Sequence, residues 1–115
     1  MDNAIETKSF AFSVRIVRLV RYLTEKKHET VLSRQVLRAG TSIGANVAEA
    51  VQAQSHADFV SKMSIALKEA SETDYWLRLL AETDYITKEQ ADSMLADCRE
   101  TVGLLTAILK TARNE

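Results

Sequence analysis

Apolar residues recur three and four positions apart over almost the whole of this chain, and no proline interrupts them. That rhythm matches the 3.6-residue turn of an α-helix with one buried face, and proline is the residue that would break it. Only three glycines are present, so the usual makers of tight turns are scarce. The fold class that follows is all-α. At 115 residues, division would leave pieces too small to bury cores of their own, so one domain spanning 1–115 is the expectation. A 46% hydrophobic share beside 27% charged residues belongs to a folding chain, not a disordered one.

The periodicity separates into four stretches. The first, about residues 4–27, carries two stripes: Phe10, Val14 and Val17, and beside them Phe12, Ile16, Leu19 and Leu23. Together they cover well over half of a helical wheel, whereas one helix of a small isolated bundle needs a narrower band. The surplus points either to a second buried contact, most simply another copy of the chain, or to a generously packed core. The rhythm lapses at His28, Glu29 and Thr30, then resumes with Leu32, Val36, Ala39, Ile43, Val47 and Ala50. The middle of this second helix holds Gly40 and Gly44. Glycine costs about 1 kcal/mol in a helix relative to alanine, so the pair implies close approach of a neighbouring helix or a break. A phosphate-binding loop is excluded because Ala45 and Asn46, not lysine and a hydroxyl, follow Gly44.

Ser55 with Asp58, and Thr87 with Gln90, have the spacing of capping boxes, and each opens a further helix. The third presents Phe59, Met63, Ala66, Leu67, Ala70, Leu77 and Leu80 on one face and Ile65, Trp76 and Leu79 on another. The fourth carries Ala91, Met94, Leu95, Cys98, Val102, Leu105, Ile108, Leu109 and Ala112. Short connections predict an antiparallel up-down-up-down four-helix bundle.

Charge is unevenly spread. From Lys8 to Arg38 there are eight basic residues against Glu25 and Glu29, a local net of +6 in a chain whose total is -1. The basic set Arg15, Arg18, Arg21, Lys26, Lys27, Arg34 and Arg38 could meet nucleic-acid phosphates, or pair with carboxylates of the same molecule or the next copy. Glu69 and Glu72 sit one turn apart beside Tyr75 and Trp76, while Asn46 and Glu49 share a face of the second helix. With no histidine or nucleophile near them in sequence, the three glutamates suit ion pairs to Arg34, Arg38 or Arg78 better than acid–base catalysis. Trp76 and Tyr75 suit core or interface anchoring. A di-iron core would need two Glu-x-x-His pairs, and only Glu25 with His28 has that spacing. No enzyme, metal or cofactor is expected. Cys98 has no partner for an internal disulfide and fits a buried, inert thiol. Without a signal-like start or an apolar run long enough for a bilayer, the expectation is a cytoplasmic protein with no membrane partner.

The run LRAGTSIGANVAEA at 37–50 resembles the signature of the four-helix bundle proteins first recognised as reading frames inside intervening sequences of 23S ribosomal RNA. The pattern FVSKMSIALKEASETDYWLRLL at 59–80 and the TDYIT segment at 83–87 are similar to that family as well, so the resemblance spans essentially the whole chain. Many members carry proline where this chain has Gly44. The resemblance implies a ring-like homopentamer with no enzymatic activity. A related branch, the accessory proteins of diversity-generating retroelements, implies binding to a reverse transcriptase and nucleic acid. The expected helix-contact residues are Gly40, Ile43, Gly44, Asn46, Glu49, Glu69, Glu72 and Trp76, and the expected partners are further copies of the chain, with RNA or another protein as alternatives.

Overall fold

The computed structural model describes residues 3–114. Four helices follow in order: α1 (Asn3–Glu25), α2 (Leu32–Val51), α3 (His56–Glu82) and α4 (Lys88–Arg113). No strand occurs among the described residues. Each helix packs on its chain neighbours and α4 closes back on α1, so the four stand at the corners of a square in antiparallel succession. The molecule is 46 Å long and about half as wide. Most of that length is α3, whose 27 residues span roughly 40 Å at 1.5 Å per residue.

The helix ends show why the chain turns where it does. Thr87 completes a reciprocal capping box: its hydroxyl accepts from Gln90 N, and the Gln90 side chain accepts from Thr87 N. At α3 only half the expected box forms. Ser55 Oγ accepts from Asp58 N, but the Asp58 carboxylate reaches Gln54 N instead of returning to Ser55. The start of α2 has Val31 in the capping position, with no side-chain acceptor. Glu29 supplies one from two residues earlier, its carboxylate accepting from Ser33 N at 2.9 Å. At the end of α3, Asp84 adopts φ 67°, and Tyr85 N donates to Leu80 O while Asp84 N donates to Ala81 O. That pattern is a Schellman motif, which absorbs the last orphan carbonyls of the helix.

Phe12, Ile16 and Leu23 of α1, Val36, Ile43 and Val47 of α2, Met63, Leu77 and Leu80 of α3, and Leu105 and Leu109 of α4 are all but inaccessible to solvent. Full burial of each such side chain is worth about 1.5–3 kcal/mol, several times the contribution of a surface ion pair. The core therefore holds the bundle, and the charges on its outside decide little of its stability. Only one of the two apolar stripes of α1 enters this core. Phe10 remains 71% exposed and Val17 36%, so the second stripe is no part of a generously packed interior.

The glycines of α2 bring α1 close without interrupting the helix. A Cβ on Gly40 would lie 2.6–2.9 Å from side-chain atoms of the buried Ile16. One on Gly44 would lie 3.1 Å from Ser13 Oγ and 3.2 Å from Ser9 O. A bare backbone at these two positions lets the helices seat against each other.

Candidate interaction surface

Three of the four seams between helices are laced by charge. Across α2 and α3, the Arg38 guanidinium donates to Glu69 at 3.2 Å and more closely to Glu72. Glu72 also accepts from the indole Nε1 of Trp76 at 2.9 Å. The Trp76 hydrogen bond, then the Arg38 contact, outweigh burial and hold the Glu72 carboxyl below its usual range. Across α3 and α4, Asp74 accepts from Arg99 at 2.8 Å and from Arg78 at 2.9 Å. Burial pushes its carboxyl up, but the two guanidinium partners together leave it lowered. Across α1 and α4, Lys8 meets Glu100 at 3.0 Å, and Arg15 meets Asp97 at 2.6 Å and Ser93 Oγ at 2.9 Å.

Several pairings differ from those expected. Glu49 lies 3.8 Å from Lys62 and reaches none of Arg34, Arg38 or Arg78. Arg78 serves Asp74, and Arg34 has no ion pair among the described residues. Asn46 turns inward on its own helix, donating to Ser42 O and Ser42 Oγ. Gly40 and Ile43 are covered within the chain. The basic segment divides as well: Lys8, Arg15 and Arg38 are neutralised internally, while Arg18, Arg21, Lys26, Lys27 and Arg34 are exposed without an ion pair among the described residues. Lys27 instead sits 5.9 Å from the Tyr22 ring centroid.

Cys98 is sealed in the core, its Sγ 3.3 Å from Ala70 O, and burial first, then the nearby Asp74 charge, push its thiol up to about 12. A thiol so rarely ionised makes a poor nucleophile. His28 lies exposed in the first connection, and His56 Nε2 stands 3.0 Å from Ala112 O. Among the described residues no three His, Cys, Asp or Glu side chains converge on a point where a metal could bind.

The fourth seam, α1 with α2, carries no ion pair among the described residues. Its outside is apolar and shallow: Phe10 stands beside a groove of about 330 Å³ floored by Gly44, Ala45 and Ala48 and edged by Glu6 and Ser13. Val17 and Leu37 extend the exposed apolar surface along the same side. On the opposite flank of α1, Arg15, Arg18 and Tyr22 face Glu89, Gln90 and Ser93 across a wider groove of about 580 Å³.

Fold and surface together define a compact antiparallel helical bundle whose distinctive exterior is one apolar helix-pair face, crossed by no ion pair among the described residues. The family of 23S rRNA-intervening sequence proteins matches residues 1–107, and the chain belongs to that family. Its fold is shared by the crystal structure of a Bacteroides thetaiotaomicron protein of unknown function from the S23 ribosomal protein family. That protein is 55% identical, with a TM-score of 0.94 over 95% of this chain and 97% of its own. No curated protein is significantly similar to this chain. None of the described helices is long and apolar enough to cross a membrane.

Proposed function

We propose that this chain is a non-enzymatic, cytoplasmic bundle that assembles with copies of itself into a ring-like homo-oligomer, five-membered as the family resemblance implies. The observation that carries the reading is the stripe formed by exposed Phe10 and Val17 with half-buried Val14 between them, alongside the groove over Gly44. A soluble monomer seldom leaves a contiguous apolar strip of this kind uncovered. Burial of Phe10 alone against a neighbour contributes about 2 kcal/mol, repeated at every contact of the assembly. Size-exclusion chromatography with light scattering tests it: the reading expects a stable oligomer at micromolar concentration, and a strictly monomeric protein overturns it.

A second reading rests on Arg18, Arg21, Lys26, Lys27 and Arg34, which have no ion pair among the described residues and could engage RNA or DNA phosphates, as in the accessory-protein branch. Such binding weakens steeply as salt rises, because each phosphate contact releases condensed counterions. Failure to retain structured RNA on the immobilised protein even at low ionic strength would end this reading.

A further inference from the structure

The geometry points to a small-molecule site in the groove between α1 and α4, one that takes an amphipathic carboxylate: an apolar or aromatic body carrying a single carboxylate group. Of the four seams, α1 with α4 is the most sparsely packed. Its groove of about 580 Å³ falls inside the range of roughly 300–1,000 Å³ that drug-sized ligands fill. Leu19, Met94 and the ring of Tyr22 supply apolar lining, and Met94 is itself buried, so the groove opens onto the edge of the core. Arg15 closes one end as a clasp: its guanidinium donates to Asp97 at 2.6 Å, to Ser93 Oγ at 2.9 Å and to Ser93 O at 3.2 Å. Beyond that clasp lies a separate, smaller groove beside Phe12, so the seam gives a partner helix no continuous channel. The α1 wall from Arg15 to Tyr22 is about 10 Å long at 1.5 Å per residue, which sets the length of the occupant.

Charge selects the sign of the ligand. Arg15 spends its charge on Asp97, but Arg18, on the same wall, has no ion pair among the described residues. Lys27, 5.9 Å from the Tyr22 ring centroid, brings a second unpaired cation to the Tyr22 end. Against these two stands Glu89, the single carboxylate that lines the groove. On the α4 wall the Gln90 side chain gives its oxygen to Thr87 N, which leaves its amide nitrogen as a further donor. A carboxylate seated between Arg18 and Gln90 receives charge-assisted hydrogen bonds, while the body of the ligand covers Leu19, Tyr22 and Met94. The groove between α3 and α4 shows what makes this one different. It is also large, about 460 Å³, but its cations are already spent, Arg78 on Asp74 and Lys88 on Asp92. The ligand site lies on the flank of α1 away from Phe10, so it does not depend on the self-assembly reading.

Ligand-observed NMR titration of the full chain tests the site with three probes: phenylbutanoate, the neutral alcohol phenylbutanol with the same body, and acetate, which has the charge without the body. Phenylbutanoate is expected to bind once per chain and about tenfold more tightly than either of the others, the equivalent of one charge-assisted hydrogen bond. Arg18→Gln should weaken phenylbutanoate about tenfold and leave phenylbutanol unchanged, while Glu89→Gln, which removes the opposing carboxylate, should tighten phenylbutanoate about threefold. Both positions are exposed, and circular dichroism verifies that the variants keep their helices. Arg78→Gln, in the α3–α4 groove, should bind as the parent does. Phenylbutanol bound as tightly as phenylbutanoate, an Arg18→Gln variant that binds like the parent, a loss on Arg78→Gln, or no binding of phenylbutanoate at millimolar concentration overturns the site. A monomeric parent that shows the Arg18 and Glu89 effects removes the self-assembly reading and leaves this one standing.

Discussion

Helix α2 uses its two flanks in opposite ways. Toward α3 it offers Arg38 to Glu69 and Glu72, and Glu49 to Lys62, a seam finished by charges at the solvent boundary. Toward α1 it offers Gly40 and Gly44, two positions without side chains, and the contact is made by backbone against Ile16, Ser13 and Ser9. The charged seam is closed within one chain because Arg38 and Glu49 both find partners on α3. The bare seam is complete inside, where Ile16 fills the space, but outside it leaves a shallow apolar trough beside Phe10. The difference teaches where to look for association: glycines that draw two helices together also remove the side chains that would cover the pair.

The comparison can be broken most severely at Gly40. Replacement by valine forces branched carbons into the space of Ile16 and is expected to cost about 3 kcal/mol or more, visible as a large fall in the urea midpoint. Gly103 sharpens the point, since a Cβ there would meet nothing within 4 Å. Gly103→Ala should raise stability by about 1 kcal/mol through helix propensity alone, and a loss would show that glycine in this bundle answers to something other than close approach. On the charged flank, Arg38→Ala should cost about 1 kcal/mol or less, because the side chain is half exposed and solvent screens the pairs. A cost approaching that of Gly40→Val would erase the distinction between the two seams.

The smallest effect concerns pH. The folded-state lowering of Glu72 and Asp74 means that the unfolded chain takes up protons first as pH falls. Their contribution is whole at neutral pH, starts to decline near the ordinary carboxylate values of 4.5 and 3.8, and is lost as pH drops through the lower folded values. Glu72→Gln should flatten the acid limb of the stability profile and leave its slope above pH 6 unchanged (approximate limit). An unchanged acid limb would show that the Trp76 and Arg38 contacts to Glu72 do not persist in solution.

Much of this architecture was legible in the residues. The apolar spacing located the helices, since burial on one side of a helix leaves a mark every three or four positions, and Thr87 with Gln90 marked the start of α4 because a capping box is a local structure. Buried hydroxyls were not legible. Thr73 and Thr101 occupy core positions that a hydrophobic pattern assigns to aliphatic residues, and they are tolerated because each donates to the carbonyl four residues back, at 2.8 and 3.0 Å. Partners across the seams were only partly legible. Charge alone offered Arg34, Arg38 or Arg78 to the glutamates, and the structure selects Arg38 for Glu69 and Glu72. Glu49 with Lys62, Arg15 with Asp97, and Arg99 with Asp74 depend on the relative rotation and height of two helices, which no single helix records. The same holds for the α1–α2 face: the second apolar stripe is plain in the sequence, but its exposure emerges only once Ile16 has met Gly40.

The central claim is that this exposed face brings copies of the chain together, and the absolute mass of the purified protein at low and high salt, with and without total cellular RNA, tests it most directly. Apolar contacts are not screened as surface charges are, so the account predicts an oligomer whose mass stays constant as salt rises and does not change when RNA is added. A monomer at every salt, or a particle that forms only with RNA at low salt, would contradict it.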